Sequence, residues 1–186
     1  MLKLYGGARS RAALVQWYLE ELETPYEFVV LDLHNLENRQ PEFLAINPMG
    51  KVPAIVDEDF QVWESGAILS YLAQKHGKIP TCLKEQATMS QWMYFSSATL
   101  APGIFTKSSR EAETPKLLTP LSQILEKQPF IMGDEFSVVD VAVGGILAYI
   151  PSMFKLDLLE YPGVLEYIKR LSERPAFQKA VKLRAT

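Results

Sequence analysis

The stretch NPMGKVPAIVD, residues 47–57, decides the reading of the fold. Pro53 stands where the chain turns from Met49-Gly50-Lys51-Val52 into the short apolar run Ala54-Ile55-Val56. A proline offers no N–H to a strand ladder, so it belongs on an edge or at the first residue of a strand. An X–Pro bond also prefers trans by only about 0.5–1 kcal/mol, so its surroundings can hold it cis. A cis Val52–Pro53 turn would leave the N–H and C=O of Val52 facing outward, able to pair with a peptide-like ligand as an added strand would. The plain alternative is a rigid turn that guards an edge strand.

Outward from that turn, FQVWE (60–64) pairs with 53–57 as an antiparallel hairpin across Asp57-Glu58-Asp59. Upstream, LKLY (2–5) alternates and predicts a strand, and GGAR a turn. SRAALVQWYLEEL (10–22) predicts a helix with Ser10 at its N-cap and Ala13, Leu14, Trp17 and Leu22 near one face. YEFVVLDL (26–33) predicts a second strand, and QPEFLAI (40–46) a short helix with Pro41 in its first turn. Downstream, Ser65 is expected to cap the helix GAILSYLAQKHG, which ends at Gly77. The order over residues 1–76 is therefore β-α-β-α-β-β-α. Gly77 and Pro80 mark a boundary, with 77–84 a linker. Residues 85–186 then read as all helical, with helices near 85–100, 115–127, 138–150, 162–172 and 175–183. In EFSVVDVAV, Ser137 at N-cap and Asp140 at N3 form a capping box, and Phe136 can staple to Val141.

Composition narrows the function classes. The chain of 186 residues is 48% apolar and 22% charged, ordinary for a globular protein with one core or two small domains. A formal charge of −3 shows no basic excess of the kind that neutralises phosphates, so no nucleic-acid partner is expected. The basic C-terminal run reads as a solvated helix face. Lys3, Arg9 and Arg11 interrupt the N-terminus before any secretory apolar segment forms. VAVGGILAYI (141–150) is half the length of about 20 residues that a membrane span needs, and predicts a buried helix. The single Cys82 excludes an internal disulfide, and His34 and His76 lie too far apart for metal-site spacing. A cytoplasmic chain with no metal site and no membrane partner is expected.

Four segments now converge. Asn47-Pro48-x-Gly50-Lys51-Val52-Pro53, Glu64-Ser65-x-Ala67-Ile68, FSVVDVAV (136–143) and LYGGARSRAALVQWYLEEL (4–22) resemble, in order and spacing, the glutathione transferases. The resemblance covers nearly the whole chain and is closest to the short cyanobacterial chi class. It implies an α+β protein, with an N-terminal thioredoxin-like βαβαββα domain followed by an all-α helical domain. It implies an enzyme that conjugates the glutathione thiolate to small apolar electrophiles such as isothiocyanates and aryl halides, with peroxidase-type activity beside it. Glutathione is then a co-substrate, no other cofactor is needed, and the protein forms a homodimer. By the same resemblance, Val52 ahead of Pro53 holds the cysteinyl residue of glutathione. Ser65 holds the γ-glutamyl carboxylate and Glu64 its ammonium. Lys51, with Asn38 or Arg39, meets the glycyl carboxylate. The exposed N–H groups of a helix start favour an anion near Ser65 on physical grounds alone.

The thiol needs activation. A pKa near 8.5 leaves only a few per cent thiolate at pH 7. Lowering it by about two units takes roughly 2.7 kcal/mol of preferential thiolate stabilisation. Ser10, with Arg11 assisting, is the preferred donor; Arg11 alone and Tyr5 are the alternatives. The plain readings are a capping serine, a surface charge and a packed strand aromatic. The loop holds no cysteine, which argues against a mixed-disulfide step. Ala8, Arg9, Pro102, Ile104 and Phe105 are candidates to line the electrophile site. The segment 103–114 looks compressed between helices, predicting a shallow, open pocket. Met89, Trp92, Met93 and Phe95 are either dimer contacts or a buried stripe. The competing function is a non-catalytic module that keeps the fold and the tripeptide pocket.

Overall fold

The structure, a computed structural model, describes residues 1–7, 10–154 and 157–182. It divides into two compact units, one holding Met1–Gly77 together with the helix that begins at Pro175, the other Lys78–Arg174.

The first unit is built on a four-stranded sheet of order β2-β1-β3-β4. Strand β1 (Leu2–Gly6) lies parallel to β2 (Tyr26–Val30), Leu4 opposite Phe28, and antiparallel to β3 (Ala54–Asp57), Leu4 opposite Ile55. β4 (Phe60–Trp63) returns antiparallel to β3 through a turn at Glu58 and Asp59, with Glu58 at φ +58°. β2 ends three residues before the predicted limit, where the Leu31 N–H bonds to the Gly6 carbonyl as the chain leaves the sheet. Leu4 and Ile55 are fully buried. Helix α1 (Ala12–Glu21) covers the sheet and buries every residue from Ala12 to Leu19. A four-residue helix, α2 (Pro41–Leu44), has Pro41 at its first position, and α3 (Ser65–Lys75) closes the unit before Gly77 at φ +64°.

Two capping expectations are corrected. Arg11, not Ser10, is the N-cap of α1, and Glu64, not Ser65, that of α3; neither cap makes a side-chain bond. Ser65 is instead the first helical residue and is buried, because the chain enters α3 through Glu64 at φ +72°.

Helix α9 (Pro175–Lys182), last in sequence, packs on α1. Trp17 and Phe177 meet edge to face at 4.9 Å, and Lys179 pairs with Glu20. Aromatic pairs of this geometry contribute about 0.5–1.5 kcal/mol beyond their buried area.

The second unit is helical. α4 (Leu83–Tyr94) runs into a π-helical turn, Phe95–Leu100, and then α5 (Ala101–Phe105). α6 (Arg110–Leu125) begins five residues ahead of the predicted 115. Arg110 reaches back to the Ile104 carbonyl with Nε at 2.6 Å and to the Phe105 carbonyl with a terminal nitrogen at 3.2 Å. A cation on the last carbonyls of one helix and Glu111 and Glu113 in the first turn of the next both suit the helix dipoles. α7 (Val138–Phe154) and α8 (Pro162–Ser172) complete the unit. The expected capping box is present. Asp140 Oδ2 accepts the Ser137 N–H at 2.8 Å and hydroxyl at 3.0 Å, while Ser137 Oγ accepts the Val139 N–H. The other carboxylate oxygen accepts the Ile131 N–H and the Tyr167 hydroxyl, so the fully buried Asp140 joins a loop and α8 to the start of α7. Phe136, the predicted staple, sets its ring edge-on to Phe130 and beneath the Arg174 guanidinium. No helix among the described residues is long and apolar enough to cross a membrane.

Candidate functional site

The sheet's end at Gly6 places the first site element. A side chain at Gly6 would come within 2.4 Å of the Ala12 Cβ and 2.9 Å of the Phe28 ring, so only glycine lets α1 start this close to β1. Ser10 sits in the resulting turn, half-buried, its N–H bonded to the Gly7 carbonyl at 3.2 Å. Its Oγ accepts the N–H of Gly7 and of Ala12, each at 3.3 Å. Two donated hydrogens leave the hydroxyl proton as the group's remaining function, and among the described residues it has no acceptor. Donors in such a chain polarise one another, which strengthens what the hydroxyl can give. Arg11 is half-buried at the helix entrance and makes no ion pair among the described residues. Tyr5 is half-buried in β1 and tilted against Phe43 at 5.8 Å. Ala8 and Arg9 lie outside the described residues.

The second element is the turn at 47–53. Val52–Pro53 is cis and Pro53 is buried. Val52 is half-buried, and among the described residues its N–H and C=O have no hydrogen-bond partner. The Lys51 and Glu64 side chains are exposed, whereas Ser65, the first residue of α3, is buried.

Asn38 and Arg39 occupy a short 3₁₀ turn, Glu37–Arg39. Each commits one donor to the neighbouring loop: Asn38 Nδ2 bonds to the Gly50 carbonyl at 2.7 Å and an Arg39 terminal nitrogen to the Met49 carbonyl at 3.2 Å, while the exposed Arg39 guanidinium keeps further N–H groups. Sequence reading overlooked Asn47, which is 1% exposed and bonds to the same loop. The signal was available in the Asn-Pro step, since Asn side chains commonly tie down the turn that follows them.

In the helical unit, Ile104 is buried in the core, Pro102 is exposed, and Phe105 packs its ring against Tyr149 and Phe154. Met89 and Met93 face the core. Trp92 and Phe95 meet edge to face at 5.4 Å and, with Leu117, Leu121 and Ile124, line a cavity of about 200 Å³. Among the described residues no cluster of His, Cys, Asp or Glu is placed to hold a metal ion.

Comparison with known proteins agrees with this arrangement. Residues 1–74 match the family model described as glutathione S-transferase, N-terminal domain, and residues 86–182 that of the C-terminal domain. The chain is 30% identical over 205 residues to the disulfide-bond oxidoreductase YfcG of Escherichia coli K12, spanning 97% of this chain and 94% of that one. It is 30% identical over 192 residues to the glutathione S-transferase hmp2 of Hypomyces subiculosus, spanning 89% and 87%. Among solved structures, a Burkholderia graminis glutathione transferase carrying two glutathione molecules per subunit superposes with a TM-score of 0.85 at 28% identity, over 97% of this chain and 87% of that one.

Proposed function

The chain belongs to the glutathione S-transferase family, and from that premise we propose that it binds glutathione on its first unit and conjugates the thiolate to small apolar electrophiles, isothiocyanates and aryl halides among them. Peroxide reduction at the same thiolate belongs to this reading. The observation that carries it is the Ser10 hydroxyl, held by two backbone donors with its own hydrogen unspent. A hydrogen bond from that hydroxyl to bound sulfur favours the charged form and lowers the thiol pKa. Arg11 at the helix entrance adds positive potential, and Tyr5 is the alternative donor. The free N–H and C=O of Val52 pair with the cysteinyl backbone, Lys51 meets the glycyl carboxylate, and Ser65 with Glu64 holds the γ-glutamyl end. In this reading the protein works as a cytoplasmic homodimer, with Trp92 of α4 and Phe95 of the π turn as contacts, and its sequence divides into a glutathione-binding domain of 1–76, a linker and a helical domain of 85–186 whose α9 packs on α1.

A second reading is glutathione-dependent disulfide reduction, favoured by the Escherichia coli relative and by the neighbour that binds two glutathione molecules. Here the thiols come from two glutathiones rather than from a protein cysteine. One thiolate opens the substrate disulfide to a mixed disulfide and a free thiol. The second displaces the remaining thiol and forms oxidised glutathione. The absence of a loop cysteine therefore bears on the protein-thiol route alone.

Retention on immobilised glutathione, followed by parallel assays with an isothiocyanate, an aryl halide and 2-hydroxyethyl disulfide, tests the proposal. Lack of retention refutes the pocket. Turnover of the disulfide alone transfers the assignment to the second reading. Retention with no turnover of any substrate leaves a binding module.

A further inference from the structure

We propose that Asn47, with Asn38 as its partner, is a positioning residue for glutathione: it fixes the loop whose end presents Lys51 and the Val52 backbone to the tripeptide. The inference rests on the binding mode proposed above and adds residues to it.

Asn47 uses every polar group it has on this turn. Its N–H bonds to the Phe43 carbonyl at 2.9 Å, anchoring it to the end of α2. Its carbonyl accepts the Gly50 N–H at 2.9 Å, closing a four-residue turn with Pro48 second. Its Oδ1 accepts the Met49 N–H at 3.0 Å, and its Nδ2 donates to the Lys51 carbonyl at 2.7 Å. Asn38 and Arg39 hold the two preceding carbonyls from the other side of the turn, Gly50 at 2.7 Å and Met49 at 3.2 Å. Three consecutive carbonyls, of residues 49, 50 and 51, thus each accept a side-chain N–H. At the next residue, Val52, neither main-chain group has a partner among the described residues. Gly50 completes the clamp. It sits at φ +59°, and a side chain there would come within 2.8 Å of both the Asn38 carbonyl and the Arg39 guanidinium.

The arrangement has a cost that points the same way. Asn38 Oδ1 is buried with no partner among the described residues, a penalty accepted while Nδ2 is aimed at the Gly50 carbonyl. Asn38 therefore supports the loop and is not itself oriented toward a carboxylate.

The test compares Asn47→Asp, Asn38→Ala and the unaltered protein. Asn47→Asp keeps an acceptor for the Met49 N–H but sets oxygen against the Lys51 carbonyl. Glutathione affinity is read by calorimetry, kcat and KM for glutathione at saturating electrophile, and folding by the thermal midpoint. The clamp predicts that Kd and KM rise about tenfold for Asn47→Asp and about fivefold for Asn38→Ala, as loss of a buried hydrogen bond warrants. Ser10, the proposed donor to the reacting sulfur, lies on the separate β1–α1 turn, so kcat at saturation should stay within about twofold. Folded variants with unchanged Kd and KM overturn the inference, and so does a loss confined to kcat. Should Asn47→Asp fail to fold, the half-buried Asn38→Ala decides by the same readings. An unaltered protein that binds no glutathione refutes the proposed function, a result separable from variants that bind as well as their parent.

Discussion

Replacing Ser10 by alanine separates a thiolate donor from a mere cap. Hydrogen bonds to charged groups contribute about 1.5–3 kcal/mol, and one pKa unit corresponds to about 1.36 kcal/mol. Removing the Ser10 hydroxyl should therefore raise the pKa of the bound thiol by about one to two units. From a value near 6.5, a rise of about 1.5 units takes the thiolate at pH 7 from roughly three-quarters to about a tenth. Turnover at that pH should fall about eightfold and recover as pH passes about 9. The structure adds a second effect. The Gly7 and Ala12 N–H groups lose their shared acceptor, a loss of hydrogen bonds of about 1 kcal/mol that lowers the unfolding midpoint without moving a pH profile. Profiles of kcat against pH, with the near-ultraviolet absorbance of the bound thiolate titrated in parallel, measure the first effect. Thermal unfolding measures the second. An unchanged midpoint in both titrations refutes Ser10 as donor, whatever happens to stability. If Tyr5→Phe or Arg11→Ala then moves the profile instead, the role passes to that residue.

Other outcomes follow from the packing. Asp140→Ala should cost about 3–5 kcal/mol, because the buried Ile131 N–H and Tyr167 hydroxyl lose their acceptor along with the cap; Tyr167→Phe should cost about a third of that, and denaturant unfolding checks both. Burial alone would raise the Asp57 carboxyl, but hydrogen bonds from Lys75 and Tyr71 outweigh it and hold the group below its ordinary 3.8. A folded value below the unfolded one supplies stability that is present above pH 3.8 and lost as pH falls through the folded value. Asp57→Asn should flatten that acid limb in a series of melting curves, and an unaltered limb would remove Asp57 from the account. A chain ending at Arg174 forfeits the Phe177–Trp17 contact and the burial of Ala180. It should lose about 3 kcal/mol, visible as earlier unfolding on the near-ultraviolet signal of Trp17.

What the sequence discloses depends on how local the cause is. The hairpin at 54–63 is legible because a short apolar run and the turn that follows it are properties of neighbours. The Ser137–Asp140 box is legible for the same reason, its partners being three residues apart. Ser65 misleads because hydroxyl residues commonly cap helices, while here Glu64 precedes it in a positive-φ conformation; Ser10 stands one residue ahead of the Arg11 N-cap, yet its Oγ still accepts the Ala12 N–H. Pro115 suggests a helix start that Arg110 pre-empts by bonding back to α5. The π turn after Tyr94 has no residue pattern of its own. For the site, residue type is visible and expenditure is not. Asn38 and Arg39 carry suitable donors for a carboxylate, yet only geometry shows that one donor of each is given to a loop carbonyl.

The seating of α9 on α1 has a consequence for how the protein is made. Trp17 leaves the ribosome 160 residues before Phe177, the ring it packs against. At about 5–20 residues per second that interval is on the order of 8–30 s. The helical unit is continuous in the chain, from Lys78 to Arg174, and is fully synthesised before the first unit has received its last helix. For that interval the face of α1 that α9 will cover stands open, and of the two units the one begun earlier is the one completed later.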